Sequence, residues 1–182
     1  MCIENNWCLY YETLDILDNY KIKSNIHRCN ASGVDRTTTW GKKKPTKVNV
    51  GVKCLSQNFG MVTSRFGTSD GLKPAGVREG NNNEKYPEVY KQLKELIFHI
   101  DPQFDYNAIT VNKNFKCLPH KDKANIKPSL IIALGDYTGG ELNIEGVKFN
   151  INWNPLIFNG SLLEHSTEDF EGTRYSIVYY SI

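Results

Sequence analysis

The run Ser129-Leu130-Ile131-Ile132-Ala133-Leu134-Gly135-Asp136-Tyr137-Thr138-Gly139-Gly140-Glu141-Leu142-Asn143-Ile144-Glu145-Gly146-Val147 decides the fold class. Its first six residues, 129–134, carry four large aliphatic side chains and no charge, a short apolar segment that reads as a strand. Gly139-Gly140 and Glu145-Gly146 then cut out two further short apolar pieces, 140–145 and 147–151. The cadence continues on both sides. Segments 106–112, 155–158 and 174–181 are also short and apolar, and Gly, Pro or Asn separates them about every ten residues, which predicts an all-β sandwich or barrel in the second half. One helix precedes it. After Asn81-Asn82-Asn83, a ready N-cap region, Val89, Leu93, Leu96, Ile97 and Ile100 share a helical face, and Asp101-Pro102 ends the run. Further upstream, residues 1–20 predict a short strand and a helical turn. Val48–Val52 reads as a strand, and Phe66–Asn83 as a long loop. The fold expected is mainly β with flanking helices (α+β), a jelly-roll-like barrel braced by at least one helix.

The chain has 182 residues, 40% hydrophobic and 23% charged, which suits one domain with a sizeable core. That domain is read as residues 1–182, with N-terminal strands, basic loops and the supporting helix in 1–104 and the β core in 105–182. The composition excludes wholesale disorder, collagen and coiled coil. No run of 18 apolar residues is present, and Met1–Asn6 has neither a basic nor an apolar signal region. Five cysteines (2, 8, 29, 54 and 117) include no Cys-x-x-Cys and predict reduced thiols. Together these predict an intracellular protein, cytoplasmic or nuclear and not secreted, with no membrane contact and no obligate protein partner.

Charge is uneven. Residues 21–78 hold twelve Lys or Arg against Asp35 and Asp70 alone, whereas the remainder holds ten bases and eighteen acids. Such asymmetry points to a polyanionic partner, of which nucleic acid is the commonest, or else to a solvated basic face.

Four histidines are present, at 27, 99, 120 and 165. His99 closes the helix, where packing or capping is the plain reading, and His27 has no acidic neighbour nearer than Asp35. His120-Lys121-Asp122 differs, because i and i+2 on an extended segment face the same side and both can bind one cation. His165 follows just before the last strand. Two His and one carboxylate with open positions match the facial triad of non-haem Fe(II) oxygenases, with catalytic Zn as the competing metal. Strand alternation puts Arg174 and Ser176 on one face and Ile177 and Tyr179 on the other. If the first face lines the barrel, Arg174 can grip a carboxylate through two parallel hydrogen bonds. Its plainer role is a surface residue on an edge strand. Asn112 and Asn125 are further candidates to orient a ligand, as is Asn114, although Asn-rich loops mostly form local turns.

These residues together resemble a family. His120-x-Asp122, His165 and Arg174-x-Ser176, set on short strands over roughly 105–182, look like the Fe(II)/2-oxoglutarate-dependent oxygenases. The segments His120-Lys121-Asp122-Lys123-Ala124-Asn125-Ile126-Lys127-Pro128, Leu134–Leu142 and Gly172-Thr173-Arg174-Tyr175-Ser176-Ile177-Val178 resemble the TET/JBP-type branch. That branch oxidises the 5-methyl group of thymine or 5-methylcytosine in DNA. The resemblance implies a double-stranded β-helix, a jelly-roll or cupin-like barrel. It also implies that His120, Asp122 and His165 hold Fe(II), that 2-oxoglutarate pairs its distal carboxylate with Arg174 and Ser176, and that dioxygen is consumed. Succinate would be released and a C–H bond hydroxylated.

The substrate side is expected in the basic half. Arg36, Thr38, Trp40 and Lys43, within Arg36–Lys44, combine cations, a hydroxyl and an aromatic that can grip phosphates and stack a base. Arg65, Lys73 and Arg78 make the 66–83 region a candidate lid or second clamp. The leading expectation is a dioxygenase hydroxylating a pyrimidine methyl in nucleic acid. The alternatives are a prolyl- or lysyl-type protein hydroxylase or small-molecule hydroxylase of the same superfamily, and a non-catalytic binding barrel.

Overall fold

The computed structural model describes residues 7–23, 55–64, 67–68, 71–72 and 76–182. The strand expected at 48–52 lies outside the described residues, as do Arg65 and Lys73. Helix α1 spans Cys8–Asn19, followed by strands β1 (Leu55–Ser64), β2 (Gly67–Thr68), β3 (Gly71–Leu72) and β4 (Gly76–Glu79). Helices α2 (Asn81–Lys85) and α3 (Pro87–Ile100) come next. The second half runs β5 (Ala108–Lys113), β6 (Ser129–Gly139), β7 (Leu142–Ile144), β8 (Val147–Phe149), β9 (Leu156–Phe158), β10 (His165–Thr167) and β11 (Phe170–Tyr180). A six-stranded antiparallel sheet has the order β4-β1-β5-β11-β6-β9, and a smaller sheet the order β10-β7-β8. Together they build the double-stranded β-helix.

Alternation along the large sheet separates two environments. Ile109, Val111, Leu130, Ile132, Leu134, Tyr175, Ile177 and Tyr179 meet Leu17 of α1 and Val89, Leu93, Leu96 and Ile97 of α3 in the main core. On β6, Ile131 and Ala133 instead join Leu142, Ile144 and Phe158 in a second cluster, so this strand is buried on both faces. Hydrogen bonds pin the helices to the sheet. The Tyr175 hydroxyl donates to Asp18 Oδ1 at 2.8 Å, and the Tyr179 hydroxyl donates to the Leu93 carbonyl at 2.7 Å.

Three local expectations need correction. Residues 8–19 form one helix, with no strand; Thr13 and Leu17 are buried on its inner side. The Thr13 hydroxyl, a poor helix former, is satisfied by donating to the Leu9 carbonyl at 2.7 Å and accepting from Gln92. The Asn81–Asn83 region does not cap the main helix but forms α2. The chain breaks at Tyr86 (φ −135°, ψ 62°), because Pro87 excludes the helical region for the residue before it, and α3 starts on that proline. The 66–83 stretch is not one loop, since β4 pairs with β1 in register Met61↔Glu79.

Gly135 lies opposite Arg174 in the β6–β11 ladder with φ +131°, and a Cβ there would sit 2.1 Å from the Thr173 carbonyl oxygen. Gly135→Ala is therefore expected to destabilise the fold by about 3 kcal/mol through backbone strain and overpacking, read as a lower urea midpoint.

Candidate metal and ligand site

The segments leading into β6 and β10 run past each other at one end of the space between the sheets. His120 and His165 exchange both backbone hydrogen bonds at 3.0 Å, which adds His120 to the edge of the small sheet. Asp122 N–H donates to the Gly160 carbonyl at 2.8 Å, and Thr167 N–H donates to the Cys117 carbonyl at 2.9 Å. These bonds fix three side chains in one patch. Asp122 Oδ1 lies 3.6 Å from His120 Nε2, and Asp122 Oδ2 lies 3.4 Å from His165 Nε2. The three donor atoms all lie within 4.8 Å of one another, the one such group of metal-capable side chains among the described residues.

Both imidazoles are oriented from behind. His120 Nδ1 is 2.7 Å from the Leu118 carbonyl and His165 Nδ1 is 3.0 Å from the Leu163 carbonyl. A carbonyl only accepts, so each Nδ1 carries a proton, and both rings turn Nε2 towards Asp122. An ion with bonds near 2.1 Å sets neighbouring ligands about 3 Å apart, so a small contraction would seat one here. Without an ion, burial disfavours a charged His165. Asp122, the Leu163 carbonyl and Glu164 together outweigh that and raise its pKa above the ordinary value.

Beside this patch lies a cavity of about 270 Å³. Asn112, Asn125 and Ser176 give it polar wall, and Ile131, Leu142 and Phe158 give it apolar wall. Asn112 Nδ2 donates to Ser176 Oγ at 3.1 Å, which leaves the buried Asn112 Oδ1 without a partner. Asn125 Nδ2 donates to Ser129 Oγ at 3.0 Å.

Two residues before Ser176 on the same strand face, Arg174 is 2% exposed. Its N–H donates to Asn114 Oδ1 at 2.8 Å, and Asn114 takes φ 48° to reach it. The guanidinium carbon stands 5.5 Å from the Tyr137 ring centroid and 5.6 Å from that of Phe170. Gly140 completes the cradle, because a Cβ there would lie 2.9 Å from Arg174 Nε. Arg174 Nε and Nη2 and the Tyr137 hydroxyl are buried and make no hydrogen bond of good geometry, although the hydroxyl lies near enough to the guanidinium to help hold its charge. Burial pulls the guanidinium pKa down, with Tyr137 and Cys117 opposing; an arginine stays charged at neutral pH all the same. A buried cation with unmet donors calls for an anion.

The structure thus brings His120, Asp122 and His165 together and lines one cavity with Ser176, Asn112 and Asn125. Arg174 is not itself in the cavity wall but packs next to it. Arg36, Thr38, Trp40 and Lys43 lie outside the described residues. His99 is exposed and packs edge-on against Tyr10 at 5.9 Å. Asn58, Cys117, Thr167 and Tyr180 also line the cavity, and sequence reasoning missed them. Only the register places Asn58 there: it pairs with Thr110 across β1 and β5, fifty-two residues away.

No family model and no curated protein sequence matches the chain. Among solved structures, NgTET1 in complex with 5mC DNA aligns at TM-score 0.50 and 17% identity, over 72% of this chain and 62% of that one. The chain therefore spans less than two thirds of that protein, and the likeness supports the fold. A 2OG-Fe(II) oxygenase family oxidoreductase from Burkholderia pseudomallei aligns at TM-score 0.39 and 14% identity, over 67% of this chain and 72% of that one. OsALKBH1 aligns at TM-score 0.38 and 13% identity, over 98% and 95%. Among the described residues no helix is long and apolar enough to cross a membrane.

Proposed function

We propose that the chain is an Fe(II)- and 2-oxoglutarate-dependent dioxygenase, with residues 1–182 as one catalytic domain, that hydroxylates the 5-methyl group of a pyrimidine in nucleic acid. The observation that carries the reading is Arg174, a buried cation with two unmet nitrogens beside a His-Asp-His group and a small cavity. A zinc hydrolase would account for the three ligands but gives no use for that cation. Iron held there, with 2-oxoglutarate and dioxygen, would supply the oxidising power for the C–H bond.

The chain's own residues do the rest. His120, Asp122 and His165, which line the cavity together, would hold the ion. Arg174 offers its planar fork to the far carboxylate of the cosubstrate, and Ser176 adds a hydroxyl. Asn112, whose Oδ1 is unpaired, and Asn125 orient what fills the cavity. Ile131, Leu142 and Phe158 keep water from the reacting centre.

The nucleic-acid part rests on the excess of twelve bases over two acids in residues 21–78 and on the solved relative in complex with 5mC DNA. Within that segment, Arg36, Thr38, Trp40 and Lys43 are the residues proposed to grip phosphates and stack a base. The target base must leave its stack, because a methyl group inside a duplex cannot reach the His-Asp-His group.

The test is nucleoside mass analysis and a succinate assay after incubation with Fe(II), 2-oxoglutarate, oxygen and DNA carrying thymine and 5-methylcytosine. One added oxygen per modified base, with matching succinate, is the expected result. Succinate without a modified base would move the substrate to RNA, a protein side chain or a small molecule. The absence of both products would overturn the oxygenase reading.

A further inference from the structure

The rim of the site combines two things that loop tips seldom present together. Leu162 is 66% exposed, Leu163 37% and Leu118 43%. They do not sit on loose chain. Leu162 and Leu163 N–H both donate to the Asn159 carbonyl, at 3.2 and 2.9 Å, and Ser161 Oγ donates to Asn159 Oδ1 at 2.8 Å. The same turn offers its Gly160 carbonyl to Asp122 N–H and its Leu163 carbonyl to His165, while the Leu118 carbonyl holds His120. Exposed leucines are thus fixed rigidly to all three members of the His-Asp-His group. His120 and Asp122 are themselves open to solvent, with side chains 22% and 34% exposed, so the rim borders the path by which a substrate arrives.

Cations accompany the leucines. Lys121 and Lys123 alternate with His120 and Asp122 and are exposed. Their neighbours Lys116 and Lys127 are committed to Asp169 and Asp105, whereas Lys121 and Lys123 make no ion pair among the described residues. Two acids share the patch: Glu164, exposed next to Leu163, and Glu145, whose carboxylate accepts the Glu164 N–H. Rigid apolar tips flanked by free cations match a polyanion whose apolar layers can be parted. An acidic protein surface would use the lysines but leave the leucines in water.

We infer that Leu162 and Leu163 form a wedge that opens the base stack of a nucleic acid, with Lys121 and Lys123 holding phosphates beside it. The inference rests on the nucleic-acid reading above and assigns that reading its residues. Aliphatic side chains inserted between base steps unstack and kink a duplex, and the phosphates on either side then need cations. The wedge sits where it would deliver the freed base to the His-Asp-His group.

The test uses the full chain and a duplex with 2-aminopurine beside a thymine or 5-methylcytosine, whose fluorescence rises on unstacking. Saturating wild-type protein should raise it several-fold. Leu162→Ser with Leu163→Ser should lose more than half of that rise while still binding, and Leu162→Met with Leu163→Met should keep it. Lys121→Gln with Lys123→Gln should leave the rise per bound duplex intact but lower the slope of log affinity against log salt by about 2. A full rise with the serine pair, or binding by wild type with no rise, would overturn the wedge and leave the substrate reading standing. An unchanged salt slope would overturn the role of the lysines. No binding to DNA at all would overturn both the inference and the nucleic-acid reading beneath it.

Discussion

Asp122→Ala is expected to abolish metal-dependent turnover and to remove the stabilisation that Fe(II), or redox-inert Mn(II), gives the folded chain. Asp122 is the one carboxylate in the group, and its two oxygens face different imidazoles, at 3.6 Å from His120 and 3.4 Å from His165. Its removal leaves two neutral nitrogens and no charge to offset a divalent ion. Loss of a partner outside the ligand set already lowers metal affinity about 10–100-fold, and loss of a ligand exceeds that. In thermal unfolding, an ion at a hundred times its Kd stabilises by about 2.7 kcal/mol, and this increment should vanish in the variant. The ion-free variant should still fold, because the Asp122 side chain is 34% exposed and its main-chain bond to Gly160 is kept. Unchanged turnover in the variant would remove Asp122 from the site.

The same residues explain why much of the site could be read before the fold. Histidine is scarce in this chain, and His120-x-Asp122 is a local pattern whose geometry follows from extended backbone alone. Arg174 and Ser176 likewise need only strand alternation to share a face, and Ile177 and Tyr179 fall on the helix side as that alternation predicts. The limits have physical causes. Strand β6 runs to Gly139, past the expected end at 134, because it and β11 form one long ladder, and cross-strand pairing overrides the polar Asp136-Tyr137-Thr138. Strand β10 consists of His165, Ser166 and Thr167, with no apolar pattern to mark it, and exists through its pairing with β7. Helix α1 carries Tyr, Thr, Ile and Asp, which are weak helix formers, so burial of Thr13 and Leu17 decides its state. Asn58 reaches the cavity by register, which no local window contains.

Arg174→Met should separate binding from stability, moving them in opposite directions. Two hydrogen bonds from a guanidinium to a carboxylate contribute about 3–6 kcal/mol when both form in a buried site, so the KM for 2-oxoglutarate should rise at least a hundredfold. Metal affinity should stay put, since Arg174 is absent from the donor group. The ligand-free fold should hold or gain stability. Nε and Nη2 are buried without partners, and a methionine in the same cradle keeps contact with Tyr137 and Phe170 while burying no charge. Replacing a buried ion by an apolar side chain of similar volume is often stabilising by about 1–4 kcal/mol. The contrast is sharp because a structural arginine predicts the reverse. If Arg174 were satisfied inside the fold, its loss would cost about 3–5 kcal/mol and leave the cosubstrate KM alone. Urea unfolding with and without 2-oxoglutarate, on wild type and variant, distinguishes them. Wild type should gain stability with the cosubstrate and ion together, and Arg174→Met should start higher and gain only the ion's share.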